Sequence, residues 1–163
     1  MAETLSVTEM IPNKFEPKRK NRWIFAIEGI DAFLMKTAKR PDATIGEKKI
    51  QWINSYRRVA GNLEWGDISV TLYDAISPSG SQQVMEWIRT HAESVSGRAG
   101  YADFYKRDCQ IKLLDPVGTV VELWDIKGAQ LQSVQFGDLS YDGDGEIVEI
   151  SLTIKFDNCV MQY

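Results

Sequence analysis

The chain is poor in the residues that most chemistry needs. It holds a single histidine, His91, and two cysteines, Cys109 and Cys159, fifty positions apart and in no CxxC pair. A zinc site of the usual Cys/His kind is thereby nearly excluded, and a Ser-His-Asp arrangement has little to draw on. Free cysteines behave as small buried hydrophobes, so both thiols are expected to be structural, with a bond between subunits left open. No GxxxxGK[ST] loop, no GxGxxG after a strand and no GxSxG elbow is present. Carboxylates are plentiful, but nothing selects a pair for acid–base work. The expectation is a protein that is not an enzyme and carries no cofactor and no catalytic or metal-binding residues. No apolar run approaches the roughly 20 residues of a membrane helix, and the first residues have neither the basic nor the apolar region of a secretory signal, so no membrane insertion and no export signal are expected.

What is present suits a folded domain. The 163 residues are 44% hydrophobic and 26% charged, enough for one domain with a proper core. Charge is unevenly placed: residues 1–60 carry twelve Lys/Arg against seven Asp/Glu, and the remainder seven against sixteen. Two arrangements answer that asymmetry. Copies could attract one another head to tail, or the two parts could neutralise each other within one monomer.

The clearest element lies near the end. In Glu149–Asp157, Ile150, Leu152, Ile154 and Phe156 fall on one side, and Glu149, Ser151, Thr153, Lys155 and Asp157 on the other. Period-two alternation with β-branched residues defines a strand with a core behind it and water or a wet channel in front.

Taken in order, residues 1–20 read as an irregular arm broken by Pro12 and Pro17 and closed by Lys18, Arg19 and Lys20. Residues 21–163 read as one β domain. Arg22–Glu28 alternates as a strand, and Ala32–Lys39 is expected to pair back onto it. Pro41-Asp42 breaks the run. Residues 43–60 lack a clean period and read as a long loop and an extended hairpin arm that needs a partner to bury Trp52. Ile68–Tyr73 is a second half-buried strand. One helix is expected over Ser81–Ser96, with Val84, Trp87, Ile88, Ala92 and Val95 as its stripe, a capping box from Ser79 to Gln82, and Gly97 as its stop. His91 is read as a packed or exposed helix residue. Cys109–Leu114 and Thr119–Asp125 form paired strands around an Asp115–Gly118 turn. Gly128 is expected to interrupt the second of these, with Leu131, Val134 and Phe136 beginning a new approach. The pattern predicts a mainly β fold with one helix (α+β), two packed antiparallel sheets forming a partial barrel.

Asp138, Ser140, Asp142, Gly143 and Glu149 match the ligand and glycine spacing of an EF-hand loop. Their flanks read as strands where the motif requires helices, so a polar hairpin turn is expected instead.

Several stretches together resemble a known family. Asn21-Arg22-Trp23-x-Phe25-x-Ile27-x-Gly29, Arg57-Arg58-Val59-Ala60-Gly61 with Trp65 and Ser69-Val70-Thr71-Leu72, Leu114-Asp115-Pro116-x-Gly118 within Tyr105–Trp124, and Glu146–Asp157 resemble, in that order, the tail-tube proteins of contractile-tailed bacteriophages. The resemblance spans about residues 20–158. Two features depart from it: the arm at 1–20 is longer, and Lys39-Arg40-Pro41 stands where the family often has Leu-Pro.

The resemblance implies a structural subunit forming stacked hexameric rings, whose inner strands close into a larger barrel around a channel for DNA. Type VI secretion and bacteriocin tube proteins are similar in fold. Implied partners are further copies of the chain, the tail sheath protein, and the tape-measure and baseplate proteins, with DNA in transit and unbound. The implied location is the virion tail, assembled in the host cytoplasm. Glu149, Ser151, Thr153, Lys155 and Asp157, or the polar face of a neighbouring strand, are the implied channel-facing residues, with carboxylates there repelling DNA. Lys18, Arg19, Lys20, Lys48, Lys49, Trp52, Arg57 and Arg58 are the implied contacts between rings. A tube-initiating or baseplate subunit, a secretion-system tube subunit, and a β-sandwich ligand-binding module remain alternatives. The last requires tryptophans exposed on one face.

Overall fold

The computed structural model describes residue 10 and residues 12–163; residues 1–9 and 11 of the expected arm lie outside the described residues. The strands are β1 (Trp23–Ile27), β2 (Met35–Ala38), β3 (Ala43–Trp52), β4 (Ser55–Trp65), β5 (Ile68–Tyr73), β6 (Arg107–Leu114), β7 (Val120–Gln135), β8 (Glu149–Lys155) and β9 (Asn158–Met161). The main helix, α1, is Gly80–His91, and a single turn, α2, is Ala102–Tyr105.

β8 sits in the middle, hydrogen-bonded to β5 on one side and β7 on the other. Ile150, Leu152 and Ile154 are fully buried, and they face Leu72, Val70 and Ile68 of β5 across the ladder. Each such side chain contributes roughly 1.5–3 kcal/mol on burial. A slip of one residue would bring Ser69 and Thr153 inside instead, so the register is strongly specified.

Seven strands form one sheet in the order β1-β6-β7-β8-β5-β2, with β9 also on β7. This corrects the expectation of two separate packed sheets. β7 is 16 residues long: its first part pairs with β6 and β9, its last part with β8. Gly128 does not end it. The glycine takes φ +68° at a shift in register, and the strand bends there and continues.

One apolar cluster draws Phe25 and Ile27 from β1, Ile111 from β6, Ile126 from β7 and the β5–β8 residues together, so the sheet curls around a shared core. It does not close into a barrel. β1 and β2 end its strand order and β9, paired only with β7, is a third edge; β2 pairs with β5 rather than back onto β1 as expected.

α1 covers the core with Val84 and Trp87. The Ser79 side chain accepts from the Gln82 N–H, one half of the expected capping box, and Asp74 accepts from the backbone and hydroxyl of Ser81. The indole of Trp87 donates to the carbonyl of Tyr105 at 2.7 Å, which ties α1 to α2. The helix is shorter than its stripe suggested. Ala92 is already extended and Val95 is 96% exposed, because the chain turns back and Gly100 packs its backbone against Thr90 and His91. Residues 43–60 hold the expected extended hairpin but not the long loop: β3 and β4 pair along their length and stand apart from the main sheet, with almost every side chain exposed.

Candidate assembly interface

Three surfaces hold the residues singled out from the sequence. The first is the outer face of the β2-β5-β8-β7 half of the sheet. Because β8 alternates, Ser151 and Thr153 point away from the core, opposite Thr71 and Ser69 of β5 and Gln135 and Ser133 of β7. The result is a hydroxyl- and amide-bearing surface whose apolar back is fully buried along β5 and β8 and half-buried along β2 and the end of β7. Glu149 and Lys155 mark its two ends. Glu149 pairs with Lys36 of β2, whose ammonium also lies 5.5 Å from the Tyr73 ring centre. The face is therefore close to neutral, not acidic. Asp157 does not share it. That residue follows β8, pairs with Lys106 at 2.6 Å and packs against Gly128.

The second surface is the β3–β4 hairpin. The pairs Lys49↔Arg58 and Gln51↔Tyr56 place Glu47, Lys49, Tyr56 and Arg58 on one side. That side satisfies itself: Arg58 reaches Glu47 at 3.3 Å, and Lys49 and Arg58 both lie over the Tyr56 ring. The pairs Lys48↔Val59, Ile50↔Arg57 and Trp52↔Ser55 put Ile50, Trp52 and Val59 on the other side, edged by Lys48 and Arg57. Trp52 is 74% exposed. The eight cations and aromatics expected at ring contacts are thus not equivalent. Lys48, Trp52 and Arg57 share the open apolar side, while Lys49 and Arg58 are engaged within the hairpin.

The third surface is the end of the arm. Lys18 turns inward and pairs with Glu122, which is only 2% exposed. Arg40 adds a bond at 3.3 Å, and the Trp124 indole donates to the same carboxylate. Burial pushes the Glu122 carboxyl up, but the bonds from Lys18, Trp124 and Arg40 outweigh it and hold the group below its ordinary range. Arg19 and Lys20, with Lys18, line an open cavity beside these groups.

Glu122 escaped the sequence reading, although a signal was there. It shares strand parity with Trp124 and Ile126, so a carboxylate stood on the core-facing side of β7. A buried charge requires a partner, and its partner comes from the arm.

The EF-hand-like spacing does not gather ligands. Glu149 is occupied by Lys36, the Ser140 hydroxyl accepts from the Asp142 N–H, and the loop joins two strands. Among the described residues no three His, Cys, Asp or Glu side chains come together as a metal site. Both cysteines are free and buried; burial pushes the Cys109 thiol up to about 12 and that of Cys159 up to about 11. Of the five tryptophans, Trp87 is in the core and Trp23, Trp65 and Trp124 pack against it, leaving only Trp52 outside.

With the fold in view, the comparisons place it in a class. No family model matches the sequence. No curated protein matches it either. Solved structures do match, along nearly the whole chain. One is from the cap of the anti-feeding prophage, described as its tube-terminating cap, with 17% identity, a TM-score of 0.74, and 97% of this chain and 99% of that chain covered. Another is from the sheath–tube complex of the PVC extracellular contractile injection system in its extended state, with 15% identity, a TM-score of 0.70, and 98% and 99% covered. A third is a type six secretion system protein at 7% identity and a TM-score of 0.51, covering 86% of this chain and 82% of that one.

The fold is that of the tube and cap components of contractile injection systems. The resemblance read from the sequence pointed to the same fold.

Proposed function

We propose that this chain is a structural subunit of a contractile tail tube, six copies closing into a ring and rings stacking around a channel. The observation that carries this reading is the β2-β5-β8-β7 face. A four-stranded surface with an apolar back, fully buried along β5 and β8, and a polar front is suited to a channel wall. Joining the edges β1 and β2 to neighbouring copies would pair strand groups that a lone subunit exposes there. The fold shared with tube and cap components supports the assembly role in general; six-fold closure and DNA passage are specific to this proposal.

On this reading Ser151 and Thr153 line the channel, with Glu149 and Lys155 at its rims. Hydroxyls and amides bearing little net charge hold phosphate weakly, so DNA in transit meets a surface with few counterion-releasing contacts. Sheath, tape-measure and baseplate proteins are the partners such a tube requires. The location is the tail of a virion or of a related injection particle, assembled in the host cytoplasm. The open hairpin side, with Ile50, Trp52 and Val59, meets the adjacent ring.

Negative-stain electron microscopy of the purified protein across a concentration series tests this. Hollow tubes of uniform width are expected. Single rings that never stack would mark a terminating or initiating subunit instead, and a monomer at every concentration would overturn the assembly role. In assembled particles, Glu149→Lys would leave Lys36 and Lys155 uncompensated on the wall and is expected to slow DNA passage.

A further inference from the structure

The free edges β1 and β2 do not meet, and the gap between them is a cavity of about 420 Å3. Its floor is apolar: Trp23 of β1, Ile111 and Leu113 of β6, and Ala38 of β2. Its rim is cationic, with Lys18, Arg19, Lys20, Lys36 and Arg40. Three of these five are already spoken for, Lys18 and Arg40 by Glu122 and Lys36 by Glu149. Arg19 and Lys20 have no ion pair among the described residues.

The loop between β7 and β8 has the opposite character. Residues 136–148 carry Asp138, Asp142, Asp144 and Glu146 and no Lys or Arg. Between the carboxylates stand large apolar groups with nothing over them. Tyr141 is fully exposed and Leu139 is 85% exposed. The loop lines no part of the cavity in its own chain.

We propose that this cavity is a socket for the β7–β8 loop of a second copy of the chain. Tyr141 enters over Trp23 and Leu113, and the flanking carboxylates meet Arg19 and Lys20. Each surface supplies what the other lacks. The cavity has an apolar floor that water wets and two cations with no ion pair among the described residues; the loop has an aromatic anchor without a pocket, and carboxylates with no cation paired to them among those same residues. Tyrosine is well suited to such an anchor, since its ring is apolar and its hydroxyl can stay at the polar rim. Charge of opposite sign on the two parts also directs the encounter and suppresses pairing of socket with socket. Every copy then carries one socket and one plug, a head-to-tail contact that propagates from chain to chain. The uneven charge along the sequence finds a place here, because the cations of the socket come from the basic first part and the plug from the acidic remainder. The inference rests on the reading that copies of this chain assemble.

The test uses the full chain with two single-cysteine additions, Arg19→Cys and Asp142→Cys, bridged by a short bis-maleimide. Buried Cys109 and Cys159 do not compete. The double variant is expected to give a ladder of dimers, trimers and higher species on a denaturing gel. An equal mixture of the two single variants is expected to give dimers and nothing larger. Monomer alone in both samples overturns the proposal, and so does a double variant that links only within one chain.

A second arm reads assembly directly. Arg19→Glu with Lys20→Glu, or Asp142→Lys with Asp144→Lys, is expected to raise the protein concentration needed for assembly roughly tenfold. Combining both pairs is expected to restore it, which loss of folding or capture of a small anion would not do. Microscopy of the same samples separates the two readings. Rings without a cross-linked ladder remove the socket and leave the tube subunit; a ladder without rings does the reverse.

Discussion

The ammonium of Lys18 donates to the carboxylate of Glu122, 104 residues further along the chain. Glu122 is the one buried charged side chain among the described residues, and the arm supplies its main partner. The end of the arm is therefore part of the folded structure and not a free tail. Arg40, just past β2, completes the cluster, so the arm, the β2 edge and β7 are tied at one point.

Removing the two partners is expected to have unequal effects. Lys18→Met leaves Glu122 its bonds from Arg40 and Trp124, whereas Glu122→Gln weakens all three charged or polar links together. Hydrogen bonds to charged groups contribute about 1.5–3 kcal/mol each. Glu122→Gln should lose about that much stability in urea unfolding, and Lys18→Met less. Equal losses would show that Trp124 and Arg40 do not share the carboxylate.

The same cluster sets an acid limit. The folded carboxyl of Glu122 titrates below its ordinary value, because the bonds from its partners overcome its burial. Its stabilising contribution is complete above the unfolded carboxylate value, about 4.3, and is lost as pH falls below that through the lower folded value. The chain around Lys18 should become more sensitive to limited proteolysis in that acidic window than at neutral pH. In Glu122→Gln the pH dependence of arm cleavage should largely disappear.

The two sides of the hairpin separate assembly from folding. Ile50 and Trp52 touch no core, so Ile50→Ser and Trp52→Ser should change monomer stability by no more than about 0.5 kcal/mol. Sedimentation velocity should nevertheless show assembly abolished. Arg58→Ala, on the side that pairs with Glu47, should leave assembly much closer to the parent. If Arg58→Ala proved as damaging as Trp52→Ser, the open side would not be the contact.

Gly128 gives a backbone test. A methyl group there would stand 2.3 Å from the Asp157 carboxylate, at a φ of +68° that L-residues avoid. Strain of this kind costs about 1–3 kcal/mol. Gly128→Ala should lower the melting temperature accordingly, and adding Asp157→Ala should recover the part due to the clash but not the part due to the backbone.

β8 was legible from Glu149 to Lys155 because its two faces differ at every position, though not its end, since the same alternation ran on to Asp157; β5 was legible because it repeats the rule with Ile68, Val70 and Leu72. Local pattern failed where distant contacts decide. Gly128 looked like a break, yet strands on both sides of β7 carry the chain through it. Val95 continued a helical stripe, but the turn that brings Gly100 against Thr90 ends the helix four residues earlier than that stripe implied. β9 was missed outright: Asn158–Met161 is short, only Cys159 is buried, and its pairing with β7 is what makes it a strand. Among the site residues, the exposed cations were easy to name, but which of them are engaged depends on strand pairing and on one inward carboxylate.

β7 has a mechanical consequence. The ladders to β6, β9 and β8 all hang from this one continuous strand. The molecule consequently has no seam along which one half of the sheet could peel from the other by giving up side-chain contacts alone. Separating the two halves therefore requires breaking a backbone ladder along β7.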